Sequence, residues 1–327
     1  MSDAAVGAVS PGEVRGFIRP VDTRRDLGAV ADLVELCFKD TLDPDSHSYL
    51  ARMRAAARAS RMFAWDADLP ERTPNAPVSG YVWEVESRIV GNLSLIPFRM
   101  QQQKLTLIAN VAVHPEYRRR GIARQLTTKA LDYLKSQGKP AAWLHVRSDN
   151  PNAIQLYELL GFQERARRTT WYNLDGLPPQ ERSAGLQITP RKPEDWPLQR
   201  RWLEEVYPAR YSWNLPLDLQ GMEVSLKGTL YRFFSFTYPQ HWSARKQGTL
   251  LGALTRQPAD GYADSLFLAV PRDASVEVVR ALLIQARQAA RRRKHLALNT
   301  PADLCPQAIQ EAGFYNQQTL LWMEKTF

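Results

Sequence analysis

The sequence is poor in cysteine and has no long hydrophobic run. Its 327 residues include two cysteines, Cys37 and Cys305, which are too far apart to form the paired motif of a zinc site or a disulfide framework. We therefore expect no metal and a reducing, cytoplasmic setting. No stretch approaches the roughly 18 consecutive apolar residues of a membrane span, and no targeting peptide is recognisable, so no membrane association is expected.

The overall charge is moderately basic. Lysine and arginine number 43, against 34 aspartates and glutamates, which gives a net charge of +9. This excess is compatible with a nucleic acid, an acidic partner or a phosphate-rich ligand, and equally with a solvated basic surface. The sequence contains no zinc knuckle, RNA-binding aromatic motif or helix-turn-helix pattern, so nucleic acid is not expected as a partner.

Length and an internal repeat both predict two domains. A length of 327 residues is about twice that of an average domain. Four segments of the first half recur in the same order in the second, with an offset that falls from 170 residues (Ile18 to Ile188) to 152 (Phe162 to Phe314). Chance similarity of two α/β halves is the alternative, and the shared order argues against it. We predict a flexible tail over 1–14, a first domain over 15–175, a linker over 176–185 and a second domain over 186–327.

The spacing of apolar residues predicts an α/β fold for each half. Residues 78–113 alternate as strands do, and residues 121–137 carry apolar side chains at helical spacing before Gly138. A short buried strand, AAWLHV, then precedes a helix over Pro151–Leu160 that Gly161 closes.

Three consecutive arginines stand where the strand meets the helix. The pattern is Arg118-x-x-Gly121-x-Ala123. The N-terminus of a helix has unpaired N–H groups and the positive end of the helix dipole, which together bind anions such as phosphate. Gly121 lets the backbone approach a ligand, and arginine adds charge and forked donors. The loop therefore predicts an anion-binding site.

This loop, followed by LHVRSDNPNAIQLYELLGF, closely resembles the GCN5-related N-acetyltransferase (GNAT) superfamily. Asn150, Ala153, Leu156-Tyr157 and Gly161-Phe162 supply the downstream part of the family pattern. The resemblance is good over residues 15–175 and weak over 185–327. It implies two tandem domains, each with a mixed, mostly antiparallel sheet flanked by helices, and a pair of splayed strands that receives acetyl-CoA in the first.

The resemblance also implies which residues contact the coenzyme. The strand Ala109–Val113 would pair with the pantetheine chain, and the N–H groups of 118–123 would bind the diphosphate. Asn150 would bond the pantetheine arm, and Ala153 would leave room for it. The cofactor-binding residues implied in this way are Val111, Ala112, Val113, Arg118, Arg119, Arg120, Gly121, Ile122, Ala123, Arg124, Asn150, Ala153 and Tyr157.

Acetyl transfer to an amine needs an acid for the leaving thiolate and a base for the amine. Tyr157 matches the family tyrosine that protonates the sulfur of coenzyme A, and we favour this acid role over the alternative that it only packs against pantetheine. His145 is a candidate base, with a buried structural histidine as the alternative. Glu84 and Glu86 are expected to share one face of a strand and to act through water if His145 does not.

The sequence does not identify the acceptor, and the wall of its site is expected to include Phe38, Asp40, Trp83, Trp171 and Tyr172.

The second half lacks the glycine loop and has Ile309 at the position of Tyr157. It also carries Asp273 and Glu277 near the helix start, where acidic groups repel phosphate. We therefore expect the second half to keep the fold without binding coenzyme A.

The sequence predicts an N-acetyltransferase that moves an acetyl group from acetyl-CoA to an amine of a small molecule or peptide. The alternative is a non-catalytic acyl-CoA sensor.

Overall fold

The computed structural model describes residues 16–42, 44–62, 79–100, 103–176, 185–213, 215–223, 239–259, 261–290 and 295–327. It divides into two compact units. Unit 1 comprises Met1–Pro97, Leu105–Leu144 and Lys325–Phe327, and unit 2 comprises Phe98–Lys104 and His145–Glu324. The predicted tail and residues 177–184 of the predicted linker lie outside the described residues, and the predicted domain boundary stays a prediction.

Unit 1 is built on five strands in the order β1-β2-β3-β4-β5. Strand β2 pairs antiparallel with both β1 and β3. Strands β4 and β5 pair parallel at Leu107↔Trp143 and Ile108↔Leu144. The strands are β1 (Phe17–Pro20), β2 (Ser79–Val85), β3 (Arg88–Met100), β4 (Gln103–Val113) and β5 (Ala141–Arg147).

Helices cover both faces of this sheet. Helices α1 (Leu27–Phe38) and α2 (Pro44–Met62) pack their apolar residues against Val82 and Ala112. Helix α3 (Ile122–Ser136) lies against Trp83, whose side chain points away from that of Val82 because strand neighbours alternate. Its close approach depends on Gly91, where an added Cβ would lie 2.9 Å from Ile122 and 3.1 Å from Leu126.

Unit 2 contains strands in the order β12-β6-β11-β10-β9-β8-β7. Strand β6, which precedes the predicted linker, pairs antiparallel with β12 on one side and β11 on the other. The strands are β6 (Gln163–Asn173), β7 (Leu186–Pro190), β8 (Gln240–Lys246), β9 (Thr249–Gln257), β10 (Ala263–Ala269), β11 (His295–Pro301) and β12 (Phe314–Thr326). The helices are α4 (Pro151–Leu159), α5 (Trp196–Val206), α6 (Ala209–Ser212), α7 (Leu219–Met222), α8 (Val276–Ala289) and α9 (Pro306–Glu311).

A buried arginine ties β6 to its neighbours in unit 2. Arg168 is 3% exposed, and its guanidinium donates to the side-chain and backbone oxygens of Asn299 and to the carbonyl of Val206. The same group lies 5.1 Å from the ring centroid of Tyr207. Burial lowers the pKa of Arg168 to about 10, so it remains charged at neutral pH.

The predicted helices and their stops are confirmed. Helix α3 spans Ile122–Ser136 and α4 spans Pro151–Leu159, and both Gly138 and Gly161 adopt the positive φ that favours glycine after a helix. The expectation for Glu86 is wrong. Glu86 and Ser87 form the two-residue turn between β2 and β3, with φ of 48° and 66°, so Glu86 does not share a strand face with Glu84.

Candidate active site

Strand β4 carries a backbone irregularity at Asn110. Its φ of 51° lies in the left-handed region, which non-glycine residues seldom adopt. The parallel pairs with β5 are at Leu107 and Ile108, and β4 continues beyond them to Val113. A single left-handed residue inside a strand reorients the peptide groups that follow it, so the N–H and C=O of Val111 leave the regular ladder direction.

Hydrogen bonds from buried side chains hold this conformation. Asn92 donates to the carbonyl of Asn110 at 2.9 Å, and the Asn110 amide donates to Ser94 Oγ at 3.3 Å and to the Tyr49 hydroxyl at 3.2 Å. Asn92 and Ser94 are each 1% exposed. A left-handed residue costs roughly 1–3 kcal/mol, and such strain persists where several contacts fix it. Tyr49 lies in α2, far away in sequence, and was not predicted as part of the site.

The loop after β4 presents an open helix N-terminus. A short 3-10 turn over Pro115–Tyr117 leads to Arg119 with φ 59° and Gly121 with φ 77°. None of the described side chains caps α3, so its first N–H groups are available to a ligand. A Cβ on Gly121 would meet only Gln125 Nε2, at 3.8 Å, so the positive φ rather than crowding favours glycine.

The predicted loop residues differ in what their side chains do. Ile122 is 2% exposed in the core and Ala112 packs against α1 and α2, so only their backbone groups can face a ligand. Arg118 donates through Nε to the carbonyl of Val113 at 3.2 Å and also hydrogen-bonds the thiol of Cys37. Burial raises the pKa of that thiol, and Arg118 partly offsets the effect.

Arg119, Arg120 and Arg124 are exposed on the same loop and first helical turn. The guanidinium of Arg120 lies 5.4 Å from the ring centroid of Tyr117. Together with the positive end of the α3 dipole, these cations make the loop strongly attractive to an anion. Arg118 differs from them, because its side chain donates to the last residue of β4 and so has a local structural role.

In unit 2, α4 carries the downstream part of the motif. Asn150 is the N-cap, with its Oδ1 accepting from the Ala153 N–H at 3.1 Å. The oxygen of its amide is therefore used in capping, and its NH₂ group is what it can offer to a ligand. Tyr157 is 7% exposed, with its ring 5.9 Å from that of Phe162. Burial raises the pKa of Tyr157 to about 12, which keeps the phenol protonated at neutral pH.

His145 also lies in unit 2, within an aromatic cluster. Its ring is 4.2 Å from that of Trp322 and 6.0 Å from that of Trp213, and the Trp213 ring lies 4.5 Å from Phe98. The residue is half-buried, but its Nε2 atom is fully buried and has no hydrogen-bond partner among the described residues. Burial lowers the pKa of His145 to about 3, so the ring is neutral and only weakly basic.

Glu84 lies in unit 1 within an ion-pair network. It accepts from Arg19 Nε at 2.6 Å, and Arg25 lies 3.6 Å away. Burial alone would raise the pKa of neighbouring Asp26, but hydrogen bonds from Arg19, the Asp22 backbone and Arg25 together outweigh it and lower the pKa. Glu84 lines a cavity of about 610 Å³ between α1 and the β2–β3 hairpin. Its carboxylate is therefore committed to arginine, which is an unfavourable arrangement for a base.

Two aromatic residues expected in the acceptor wall belong to cores. Trp83 is 7% exposed beneath α3, and Trp171 is 2% exposed and donates to Thr300 in the core of unit 2. Phe38 ends α1 and Asp40 follows it, while Tyr172 lies in β6.

Among the described residues, no group of three or more histidine, cysteine or acidic side chains can hold a metal ion. No helix in the described part of the chain is long and apolar enough to span a membrane.

Comparison with known proteins finds relatives for part of this chain. Residues 37–162 match the model of the acetyltransferase (GNAT) family. The predicted resemblance to the GNAT superfamily is thereby confirmed for this segment. A [ribosomal protein bS18]-alanine N-acetyltransferase of Salmonella typhimurium is 44% identical over 63 residues, which is 19% of this chain and 43% of that protein. An uncharacterized N-acetyltransferase of Methanocaldococcus jannaschii is 32% identical over 155 residues, covering 46% and 63% of the two chains. The matches thus span less than two thirds of either relative.

Solved structures share the tandem GNAT fold. A GNAT from Sphaerobacter thermophilus superposes with a TM-score of 0.58 at 16% identity, covering 95% of this chain and 96% of that one. A tandem GNAT protein from the clavulanic acid biosynthesis pathway gives a TM-score of 0.50 at 16% identity, with coverage of 95% and 98%. At these identities the likeness concerns the fold alone, and it confirms the predicted tandem architecture.

Proposed function

We propose that this GNAT chain transfers an acetyl group from acetyl-CoA to a primary amine. The observation that carries the proposal is the uncapped N-terminus of α3, set behind two left-handed residues and flanked by exposed arginines. Backbone N–H groups at such a terminus suit a diphosphate, and the arginines add charge-assisted hydrogen bonds. The reoriented peptide of Val111 supplies an N–H that can stabilise an oxyanion.

We assign the acid role to Tyr157. A phenol whose pKa is raised to about 12 is protonated when the thiolate leaves, and it can donate that proton as the C–S bond breaks. The amine attacks the thioester carbonyl to form a tetrahedral oxyanion, and the C–S bond breaks as this intermediate collapses. The leaving sulfur takes the proton of Tyr157, and the surplus proton of the attacking nitrogen passes through water to the tyrosinate, which restores the phenol. The NH₂ group of Asn150 is available to bond the pantetheine arm.

For His145 we propose the role of a hydrogen-bond acceptor that orients the amine. Its ring is neutral and its Nε2 has no partner among the described residues, which suits that role, whereas a pKa near 3 makes it a poor proton acceptor at pH 7. The acceptor class is a small-molecule or peptide amine. The relatives that act on the alanine of a ribosomal protein support the peptide option.

The alternative, an acyl-CoA sensor without turnover, has one observation in its favour. Glu84 is held by arginine and His145 is weakly basic, so neither predicted base is set up for proton removal. Retention of a buried tyrosine at the thiol position favours the enzyme, because a sensor needs no acid there.

Two measurements test the proposal. Calorimetry with coenzyme A should detect binding that weakens at least tenfold in an Arg119→Glu/Arg120→Glu variant, since charge-assisted hydrogen bonds are lost. Lys135→Glu, at the other end of α3, is the matched charge control and should bind normally. Thiol release should follow with a panel of primary amines and free peptide N-termini. Coenzyme binding without release for any amine would favour the sensor, and absence of binding would end both options.

A further inference from the structure

Tyr49 has no role in the proposed acetyl transfer, although it contacts the irregular part of β4. It lies in α2, and its side chain is half-buried against the core of unit 1. Its neighbour Leu50 is 1% exposed in that core, and Met53, one turn further along the helix, is 0% exposed. These two residues fix α2 beside the sheet, so the position of the Tyr49 hydroxyl is set by core packing.

The hydroxyl of Tyr49 accepts a hydrogen bond. Its partner is the side-chain NH₂ group of Asn110, at 3.2 Å, and an amide NH₂ can only donate. The second proton of that NH₂ group goes to Ser94 Oγ at 3.3 Å. Burial raises the pKa of Tyr49, so the phenol is protonated at neutral pH. Both side-chain protons of Asn110 are therefore bonded, one to a residue of β3 and the other to a residue of α2.

The donors and acceptors of the rest of this network are matched in the same way. Asn92 donates one side-chain proton to the carbonyl of Asn110 at 2.9 Å and the other to Ser94 Oγ at 3.3 Å. Ser94 Oγ accepts from both asparagines, which uses both of its lone pairs. If the Tyr49 hydroxyl were removed, one proton of Asn110 would have no acceptor among these side chains, and a half-buried donor without a partner is costly.

The network fixes the peptide group that joins Asn110 to Val111. The chain contains no cis peptide bond in its described part, so the Asn110 carbonyl and the Val111 N–H lie in one plane and point in opposite directions. Asn92 holds that carbonyl, and Tyr49 holds the side chain of the same residue. Since the φ of Asn110 is 51°, a value that asparagine adopts only at a cost, the direction of the Val111 N–H depends on these bonds.

We propose that Tyr49 is a positioning residue for acetyl transfer, which holds Asn110 in the left-handed conformation that directs the Val111 N–H toward the oxyanion. This inference rests on the proposed function, because it uses the oxyanion donor proposed there. In this role Tyr49 touches neither substrate and acts through Asn110. Its loss therefore weakens an interaction made in the transition state and lowers kcat, whereas the affinity for the coenzyme is retained.

The kinetic test uses the full chain and asks whether glycine makes the tyrosine unnecessary. Tyr49→Phe should lower kcat about tenfold and leave KM for acetyl-CoA within about twofold, because one hydrogen bond that supports the donor is lost. In an Asn110→Gly background the same change should have no further effect, since glycine adopts positive φ without support. Asn110→Ala, which has neither the hydrogen bonds nor the freedom of glycine, should lower kcat about 100-fold.

The matched control is Tyr133→Phe, which removes a hydroxyl from a tyrosine that is 40% exposed on α3 and should leave kcat unchanged. An unchanged kcat in Tyr49→Phe overturns the inference. A loss of kcat that is equally large in the Asn110→Gly background also overturns it, because Tyr49 would then act by another route.

Nuclear magnetic resonance of isotopically labelled protein gives a readout that does not depend on turnover. Tyr49→Phe should move the resonances of the Asn110 side-chain NH₂ group and of the Val111 N–H, and Tyr133→Phe should move neither. Resonances that Tyr49→Phe leaves in place overturn the inference. If the wild type releases no thiol with any amine, the proposed function fails, while these resonances still decide whether Tyr49 sets the direction of the Val111 N–H.

Discussion

The helices α3 and α8 occupy equivalent places in the two halves of the repeat, but their N-termini differ. Helix α3 follows Gly121 and has no side-chain cap, whereas α8 follows Ser275, whose hydroxyl accepts from the Val278 N–H at 3.4 Å, and has Glu277 in its first turn. In the second half a side chain of the protein thus satisfies an N–H group of the helix start, whereas no described side chain does so in the first.

The same two helices agree in how they pack. A Cβ on Gly91 would lie 2.9 Å from Ile122, and a Cβ on Gly252 would lie 2.8 Å from Val270 and 3.1 Å from Val278. Both glycines let a helix approach the sheet closely. Features required by the fold are therefore present in both halves, and features that suit coenzyme binding are present in one.

The largest expected effect concerns Tyr157, whose equivalent in the second half is Ile309, buried in α9. Tyr157→Phe should lower kcat for acetyl transfer by about 100-fold or more, because the leaving thiolate loses its acid, while coenzyme A affinity stays within about twofold. Steady-state kinetics and calorimetry measure the two quantities. Ile309→Val should leave kcat unchanged; an equal loss in both variants would contradict the asymmetry between the halves.

The packing equivalence predicts equal losses of stability in the two halves. Gly91→Ala and Gly252→Ala should each lower the free energy of unfolding by about 1–3 kcal/mol, because the new methyl group crowds Ile122 of α3 in the first case and, in the second, Val278 of α8 and Val270, which lies just after β10. Urea denaturation measures the change. Gly138→Ala provides the control, since a Cβ there meets nothing within 4 Å and only the positive φ is disturbed. A loss confined to one glycine would show that the two sites are not equivalent.

The fifth residues of β5 and β11 differ in their partners. The Nε2 of His145 has none among the described residues, whereas Asn299 bonds both Arg168 and Thr170. With a pKa near 3 when folded and about 6.5 when unfolded, His145 takes up a proton on unfolding between these pH values, so stability falls as pH falls through that window. At pH 5.5 the loss relative to pH 7.5 should be about 1.4 kcal/mol.

Urea denaturation of wild type and His145→Leu between pH 5.5 and 7.5 measures the part of the pH-dependent stability that comes from His145. The variant should lose that part of the pH dependence, and Asn299→Leu should keep it. An unchanged pH dependence in His145→Leu would show that the ring is protonated in the folded protein.

The smallest effects concern the two helix starts. Gly121→Ala should weaken coenzyme A binding by about fivefold, because a Cβ strains the left-handed conformation by about 1 kcal/mol. Ser275→Ala should lower the free energy of unfolding by about 1 kcal/mol through loss of the cap and leave coenzyme binding unaltered. Calorimetry and urea denaturation separate the outcomes. Coenzyme binding that depends on Ser275 would contradict the prediction that the second half does not bind coenzyme A.

Local patterns in the sequence were sufficient for some features and not for others. The bounds of α3 and α4 and their closing glycines follow from apolar spacing and turn chemistry within one segment. The positive φ of Asn110 does not, because Tyr49, Asn92 and Ser94 enforce it from other elements. The error at Glu86 arose because a turn of two non-glycine residues resembles a continuing strand.

Long-range register explains the remaining omissions. Nothing in the sequence near β6 indicates that its two neighbours, β11 and β12, come from the end of the chain. The acidic residues near α8 are evident in the sequence, but the cap at Ser275 was not predicted, although a serine three residues before an apolar position is a recognisable signal.

The position of β6 between β12 and β11 has a consequence for how the repeat can change. If the polypeptide were cut in the predicted linker, the C-terminal fragment would lose β6, the strand between β11 and β12. The backbone N–H and C=O groups of those two strands would then be unpaired along one edge each, and such edges favour self-association. Arg168 would leave with that strand, and Asn299 would lose its ionic partner. A cut at this junction therefore cannot separate the two halves of the repeat without exposing the edges of β11 and β12.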